Sequence, residues 1–223
     1  MLGFKNQVSI DLCRPFATDS GPARQGVVMT DGRRWIGIVL FPEVEELDAI
    51  GPWEVLSSWC LQFPEDGWSV TCLSASGGSV RCAKGLTIEA HRSFGDCPPL
   101  DVLVHPGGQG TRAQLHDQAH LEWVRHQGEA VPLMTSVCTG SLVFAAAGLL
   151  SGRPATTHWA SLDLLSRLDP TIEVRPDDRF VDDGSVITSA GISAGIDMAL
   201  HLVGRLAGAE RARQVRRYIQ YEP

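Results

Sequence analysis

The feature that most constrains this fold is a strand-like segment that runs directly into a helix within residues 132–150. Residues 131–137 form a short apolar run with a β-branched bias, which predicts a strand buried in a parallel sheet. Cys138 follows at once, and an Ala- and Leu-rich helix then runs to about Gly148. Because no loop separates strand from helix, the turn residue is expected to take a strained backbone conformation and to project from the sheet. This is the geometry of a nucleophile elbow, here carrying cysteine.

Cys138 is therefore the first candidate for chemistry. The amide N–H groups that open the following helix point toward the sulfur and favour its anion, so we expect the pKa of the thiol to fall. The small residues 139–141 leave the approach to the sulfur open. The alternative is a buried cysteine that acts as a small hydrophobe, which is the commoner fate of cysteine. Its place at the carboxyl end of a strand, where open α/β sheets bind ligands, favours the reactive thiol.

Strand-like and helical segments alternate along the rest of the chain. The pattern predicts an α/β fold: a three-layer, flavodoxin-like sandwich with a mostly parallel central sheet. A helix is expected to open at Gly51 and Pro52, with proline at the first helical position. No repeat or linker divides the chain, so we expect one domain over residues 35–223 after a poorly ordered leader at residues 1–34. The other predicted strands cover residues 35–40, 68–74, 80–82, 86–90, 100–105, 172–174, 180–181 and 186–189.

Composition narrows the class of protein. The hydrophobic content of 43% and charged content of 20% are typical of a globular protein, and the formal charge of −7 argues against a nucleic-acid surface. Six cysteines show no C-x-x-C pair and no spacing with histidine typical of a metal site, so we expect reduced thiols, no metal and a cytoplasmic protein. No apolar run is long enough to span a membrane, and the N-terminus lacks the pattern of a signal peptide.

Three loops are expected to converge on Cys138, because parallel strands present their carboxyl ends at one edge of a sheet. One loop brings Gly107 and Gly108, whose missing side chains let backbone N–H groups approach a substrate or a developing anion. Another brings Asp48, whose apolar neighbours predict a raised pKa and a role as proton donor. The alternative for Asp48 is a helix cap. The nearby acids Glu43, Glu45 and Glu46 are interpreted as solvated loop charge.

Four further residues are candidates for the same site. Thr139 follows the cysteine and is placed to offer its hydroxyl to the thiolate or to an intermediate, although a structural role at the helix start is equally consistent. His158 follows two threonines, and a Cys/His pair is a usual way to activate a thiol; a structural histidine is the alternative. Trp159 and Ile192 are candidates for lining a pocket, with ordinary core as the alternative.

Several separated motifs together resemble one known family. The chain from residue 35 to about 218 is similar to the ThiJ/PfpI superfamily, which is related to class I glutamine amidotransferases, and within it most resembles the isocyanide hydratases. The segments that carry the resemblance are LFPEVEELD (40–48), PPLDV (98–102), PGG (106–108), SVCTGSLV (136–143), ATTHWA (155–160) and GISAGID (191–197).

The resemblance implies a cofactor-independent lyase that hydrates isocyanides to N-substituted formamides. By this resemblance Cys138 matches the family nucleophile, Asp48 the acid that faces it, and Thr139 a threonine that the hydratases also carry. The family's proteases tend to place histidine directly after the cysteine, so peptidase activity is not expected. The resemblance further implies a small-molecule substrate and a homodimer.

Two other functions remain open at this stage. The same domain forms the N-terminal part of AraC-type transcription regulators, so a ligand-sensing domain without catalysis is one alternative. The chain ends at residue 223, which leaves no room for a following helix-turn-helix domain, so we do not expect a stand-alone regulator. The other alternative is a carbonyl- or oxidative-stress protein in which Cys138 is oxidised toward sulfinic acid.

Overall fold

The protein is described here by a computed structural model, which covers residues 32–222. Residues 1–31 of the expected leader lie outside this range, and the first strand begins at Arg34. Within the described residues no helix is long and apolar enough to cross a membrane. The strands are β1 (Arg34–Val39), β2 (Trp68–Ser74), β3 (Gly78–Arg81), β4 (Thr87–Ala90), β5 (Arg92–Ser93), β6 (Val102–His105), β7 (Leu133–Val137), β8 (Pro154–Ala155), β9 (Glu173–Val174), β10 (Phe180–Asp182) and β11 (Val186–Ser189).

A seven-stranded sheet lies between two sets of helices. Its strand order is β10-β11-β7-β6-β1-β2-β5, and every neighbouring pair is parallel except β10 with β11. On one side α1, α6 and α7 pack together, and on the other α4 packs against α2, α3 and α5. The predicted mostly parallel α/β sandwich is confirmed. The helices are α1 (Glu46–Gln62), α2 (Thr111–Gln114), α3 (Gln118–Ala130), α4 (Gly140–Ala146), α5 (Leu162–Leu168), α6 (Ala194–Ala207) and α7 (Ala209–Tyr218).

The central strands are short and buried on both faces. Every residue of β6, β7 and β11 is buried, which explains why these segments read as continuous runs without polar alternation. The small hairpin of β3 and β4 is antiparallel and lies outside the main sheet, as its turn at residues 83–85 predicts.

Helix α1 begins earlier than its sequence predicts. It starts at Glu46, so Pro52 lies inside the helix and the predicted start at Gly51 and Pro52 is wrong. Acidic residues in the first turn favour this earlier start through the helix dipole. Pro52 has no N–H, so the carbonyl of Asp48, four residues earlier, receives no helical hydrogen bond from it. The start at Glu46 places Asp48 on the first turn of the helix instead of in a loop.

Strands β1, β6 and β7 are adjacent, so their carboxyl ends meet at one edge of the sheet. Ile38 pairs with Val104, and His105 pairs with Ser136 in the parallel registers. The loops after β1 and β6 are joined by an isolated bridge between Val44 and Gly108. The predicted convergence of three loops near residue 138 is therefore confirmed.

Candidate active site

Cys138 lies at the junction between β7 and α4. Its φ of 55° is in the left-handed region, which a non-glycine residue rarely adopts, and its N–H donates to the carbonyls of Ser189 and Ala190. The chain turns this sharply because Gly140 carries no side chain: a Cβ there would lie 2.2 Å from the carbonyl oxygen of His105. The predicted strand–turn–helix junction is thus present in the backbone, with only 5% of the cysteine exposed.

Asp48 faces Cys138 from the first turn of α1. Its side chain is completely buried, and Oδ2 accepts a hydrogen bond of 3.0 Å from the backbone N–H of Gly107. The other oxygen, Oδ1, is buried without a hydrogen-bond partner in the part of the chain described, while the carboxyl as a whole interacts with the Cys138 thiol. The alternative of a helix cap is wrong, because Glu45 occupies the cap position of α1 and the Asp48 carboxyl bonds to another loop.

Burial controls the proton affinity of this carboxyl. Desolvation raises the pKa of Asp48 from 3.8 to about 7, and the nearby charge of Glu45 adds to the rise. The Gly107 N–H, the Cys138 thiol and the charge of Lys84 oppose it. A raised pKa is what the apolar surroundings of Asp48 predict from sequence.

The expected fall in the thiol pKa is wrong. Burial raises the pKa of Cys138 to about 12, and the neighbouring Asp48 carboxyl raises it further. The backbone N–H groups of Thr139 and Ile192 face the sulfur and lower the pKa, but they do not outweigh burial. Helix α4 is only seven residues long, so its dipole is small beside the cost of a buried anion. Burial therefore shifts both groups toward their neutral forms, which leaves the thiol protonated and the Asp48 carboxyl able to titrate near pH 7.

Thr139 organises the glycine loop rather than the sulfur. Its Oγ1 accepts a hydrogen bond of 3.0 Å from the N–H of Gly108 and lies 3.1 Å from the Oγ1 of Thr111, which donates to it. A Cβ on Gly107 would lie 2.5 Å from the Thr139 nitrogen and 2.9 Å from Asp48 Oδ2, so only glycine fits. Of the two alternatives for Thr139, these bonds favour the structural one, because the hydroxyl is already engaged with the loop.

The two glycine N–H groups are likewise engaged within the protein. Gly107 donates to Asp48 and Gly108 donates to Thr139, so neither matches the expected free donor for an oxyanion. The N–H groups that face the sulfur belong to Thr139 and Ile192 instead. Sequence reasoning missed the second of these; the signal was the Gly-Ile-Ser-Ala-Gly segment, whose Ile192 has a φ of 46°.

Cys138 opens into a cavity of about 260 Å³, which also includes Ile192, His158, Arg112 and Glu45 in its lining. This volume suits a small molecule, and Ile192 lines it as predicted. A larger cavity of about 690 Å³, walled by aromatic side chains, includes neither Cys138 nor Asp48 in its lining. Because reactive groups define a site more closely than volume does, the smaller cavity is the candidate active site.

His158 lines the cavity as expected, whereas Trp159 does not. The Nδ1 of His158 accepts from the N–H of Ala160 at 3.3 Å, and among residues 32–222 no hydrogen bond joins His158 to Cys138. This hydrogen bond favours the structural alternative for His158 over a Cys/His pair. Trp159 begins a 3₁₀ turn and is 77% exposed, so it does not line the cavity.

The three loop acids differ in exposure and in their ion pairs. Glu43 is exposed, while Glu45 and Glu46 are half-buried and form ion pairs with Lys84. Interpreting all three as solvated loop charge is wrong for these two, because the β3–β4 hairpin brings Lys84 over them. No cluster of three or more metal-ligating side chains occurs within the described range.

Sequence reasoning also missed a buried histidine pair beside the site. His105 Nδ1 lies 2.8 Å from the carbonyl oxygen of Pro106, and its Nε2 lies 2.9 Å from Nε2 of His120. Metal-ligand spacing was the wrong test for these residues. The better signal was the position of His105 at the end of a strand, directly before the Pro-Gly-Gly turn.

Comparison with known proteins agrees with this geometry. A profile of the DJ-1/PfpI family matches residues 34–205. The isonitrile hydratase of Pseudomonas putida is 43% identical over 189 residues, which cover 84% of this chain and 78% of that protein. The HTH-type transcriptional regulator CdhR of Pseudomonas aeruginosa is 36% identical over 149 residues, which cover 66% of this chain but 43% of the regulator.

Solved structures show the same fold. The crystal structure of a ThiJ/PfpI family protein from Pseudomonas syringae has a TM-score of 0.77 and 31% identity, covering 92% of this chain and 84% of that one. The crystal structure of Drosophila melanogaster DJ-1beta has a TM-score of 0.73 and 25% identity, covering 86% and 100% of the two chains. The sheet order, the glycine-loop geometry and these matches lead to one conclusion: the chain belongs to the DJ-1/PfpI family.

Proposed function

We propose that this protein hydrates small isocyanides to N-substituted formamides, with Cys138 as nucleophile and Asp48 as general acid and base. The observation that carries the proposal is the contact of a buried carboxyl, whose pKa is raised to about 7, with a thiol at the tip of a strained turn. A carboxyl with a pKa near neutrality both accepts and donates a proton under working conditions. The 43% identity to an isonitrile hydratase supports the same reaction.

In the first step the Cys138 sulfur attacks the terminal carbon of the isocyanide, R–N≡C. Because burial holds the thiol neutral, we expect the Asp48 carboxylate to take the thiol proton as the S–C bond forms. Asp48 then delivers that proton to the same carbon. The product is a thioimidate, R–N=CH–S–Cys138, and Asp48 is again a carboxylate.

In the second step water attacks the thioimidate carbon while Asp48 accepts a proton from it. The proton passes to the nitrogen and gives a tetrahedral intermediate, R–NH–CH(OH)–S–Cys138. Its collapse breaks the C–S bond, the hydroxyl proton returns to the sulfur, and R–NH–CHO leaves. Thr139 and Ile192 N–H groups that face the sulfur stabilise negative charge on it in both steps. The net reaction adds one water to the isocyanide.

The test is turnover of a small aryl isocyanide, followed by the absorbance of the formamide. We expect Cys138→Ala to lose at least ~10⁴-fold in rate, because removal of a nucleophile eliminates the covalent route. Cys97→Ala is the matched control: Cys97 is half-buried and bonds to the Pro98 carbonyl, away from the cavity, so its rate should equal that of wild type. Full activity in Cys138→Ala would refute the mechanism.

A ligand-sensing domain is the second candidate function, favoured by the 36% identity to a transcriptional regulator. The chain spans 43% of that regulator, so any regulatory role is itself a proposal. Calorimetry separates the two functions: a sensor binds the isocyanide without producing formamide, and Asp48→Asn leaves its affinity unchanged. A stress protein that depends on oxidation of Cys138 is less well supported, because the thiolate is the form that reacts with oxidants and burial raises the pKa of this thiol.

A homodimer is proposed from the family resemblance alone. Light scattering on the purified chain tests it directly: the expected mass is twice the 24.1 kDa of one chain.

A further inference from the structure

We propose that His105 is a positioning residue that tunes the proton affinity of Asp48 through the Pro106–Gly107 peptide bond. The effect of His105 on the proton affinity of Asp48 is inferred from the hydrogen-bond geometry alone. The importance of that effect for catalysis rests on the proposed function. Neither side chain touches the other. The connection runs through one peptide unit, whose carbonyl oxygen lies 2.8 Å from His105 Nδ1 and whose N–H lies 3.0 Å from Asp48 Oδ2.

The proton positions in this chain of bonds follow from chemistry. The Pro106 carbonyl has no hydrogen to donate, so His105 Nδ1 must carry the proton of that hydrogen bond. In a neutral imidazole Nε2 then has only a lone pair. His120 Nε2, 2.9 Å away, must therefore be the donor to it. The Pro106 carbonyl thus fixes the tautomers of both histidines: His120 donates to His105, and His105 donates to the Pro106 oxygen.

A peptide group transmits this polarisation to its other end. A hydrogen bond accepted at the carbonyl oxygen draws electron density from the nitrogen, so the N–H becomes a stronger donor. The Gly107 N–H is the backbone group that lowers the pKa of the Asp48 carboxyl. His105 therefore stabilises the carboxylate form of Asp48 from the far side of the peptide, without adding a charge.

The surroundings exclude a charged histidine in this role. His105 is fully buried between Phe41 and Phe144, and burial lowers its pKa to about 3. The ionisable groups that act on the two histidines are each other and Asp117, near His120. Those that act on Asp48 are its neighbours Cys138, Glu45 and Lys84. Among residues 32–222 no hydrogen bond joins either histidine to Asp48, and the Pro106–Gly107 peptide provides the connection between them.

Two substitutions of His105 separate hydrogen bonding from packing. His105→Phe keeps a buried ring but removes the donor to the Pro106 carbonyl. His105→Asn loses the ring but keeps a donor, because Asn Nδ2 is bonded to Cγ as His Nδ1 is. A role in packing alone predicts that Asn is the worse replacement, whereas the proposed role predicts that Phe is.

The readout is the titration of Asp48 itself, followed by NMR of protein labelled with ¹³C at the aspartate carboxyl carbons. The signal missing from Asp48→Asn identifies the residue. We expect His105→Phe to raise the Asp48 midpoint by about half a pH unit, since neighbouring hydrogen bonds strengthen one another by ~10–30%. In His105→Asn the midpoint should stay close to wild type.

The matched control is His91→Phe, which removes an exposed histidine whose Nδ1 accepts a hydrogen bond from the Cys72 N–H, and which no hydrogen bond among residues 32–222 joins to Asp48. Its Asp48 midpoint should be unchanged. An unchanged midpoint in folded His105→Phe, or an equal shift in His105→Asn, would overturn the proposal. The NMR result needs no turnover, so absence of hydratase activity in wild type would refute the proposed function and leave this test standing. If wild type is active, the pH profile of its rate should shift with the Asp48 midpoint.

Discussion

Two buried pairs of titratable side chains lie at the same edge of the sheet and behave in opposite ways. Asp48 contacts Cys138, which lines a cavity, and burial raises both pKa values, that of Asp48 to about 7. His105 and His120 hydrogen-bond to each other, and burial lowers their pKa values to about 3 and about 4. Burial favours the neutral form in both pairs, but it leaves only Asp48 with a pKa near neutrality.

The difference lies in what each pair bonds to. The histidine protons are fixed by a backbone carbonyl that accepts and never donates, so neither ring can change its tautomer without losing a bond. Asp48 instead has one oxygen on the Gly107 N–H and one without a partner, beside a thiol. An acid with a free buried oxygen can gain or lose a proton in place. We therefore expect a buried pair to become reactive through incomplete hydrogen bonding, not through burial alone.

The largest expected effect tests whether Asp48 is the working acid. Asp48→Asn keeps the size of the side chain but removes the proton transfer, so the rate of isocyanide hydration should fall by ~10²–10⁴-fold. Glu45→Gln is the matched control, because Glu45 is a carboxylate that lines the cavity but forms an ion pair with Lys84. We expect a much smaller loss in that variant. Equal losses in the two variants would assign no special role to Asp48.

The next effect concerns the change in stability between the unfolded Asp48 pKa of 3.8 and its folded pKa of about 7. The folded protein holds a proton on Asp48 up to about pH 7, whereas the unfolded chain releases it near 3.8. Stability therefore falls as pH rises through this window, by up to ~4 kcal/mol at ~1.4 kcal/mol per unit. Asp48→Asn should remove this loss. In urea unfolding, the free energy of unfolding of the variant should therefore increase relative to that of wild type between pH 5 and pH 8. A difference that does not vary with pH would contradict the raised pKa.

The histidine pair predicts that the free energy of unfolding changes with pH in the opposite direction. His120 stays neutral in the folded protein down to about pH 4, whereas in the unfolded chain it binds a proton below about 6.5. Stability is thus lost as pH falls through this window, on the order of 3 kcal/mol for His120. His120→Phe should be less stable than wild type at pH 7 but should show a shallower decline toward pH 4. Parallel urea-unfolding curves for the two proteins would refute this part of the comparison.

The sequence predicts the sheet better than the hydrogen bonds at its edge. Strands β2 and β11 match their predicted bounds, because the apolar and β-branched runs that form them are local patterns. The pairing of Cys138 with Asp48 was also accessible, since parallel strands gather their carboxyl ends. The direction of the shift in the Cys138 pKa could not be predicted, because the sequence indicates where a helix begins but not how deeply the sulfur is buried.

Other predictions fail because they also depend on tertiary contacts. Trp159 was assigned to the pocket from its neighbours in sequence, but a 3₁₀ turn carries it outward. His105 and His120 are 15 residues apart, and only the packing of α3 on the sheet brings their rings together. Likewise, the Thr139 hydroxyl adjoins the sulfur in sequence but bonds to a loop 31 residues away. Contacts of this kind depend on tertiary geometry that no local pattern encodes.

The smallest expected effect separates the framework of the site from its reacting atoms. Thr139→Val keeps the shape of the side chain but leaves the Gly108 N–H without its acceptor, which should lower stability by ~1–2 kcal/mol. The rate should fall by no more than ~10-fold, because the sulfur retains the Thr139 backbone N–H. Thr139→Ser restores the hydroxyl and should recover both quantities in urea unfolding and in the hydration assay. If Thr139→Val lost as much activity as Asp48→Asn, the hydroxyl would belong with the proton-transferring pair rather than with the loop, because a residue that only holds a loop leaves Asp48 and Cys138 their chemistry.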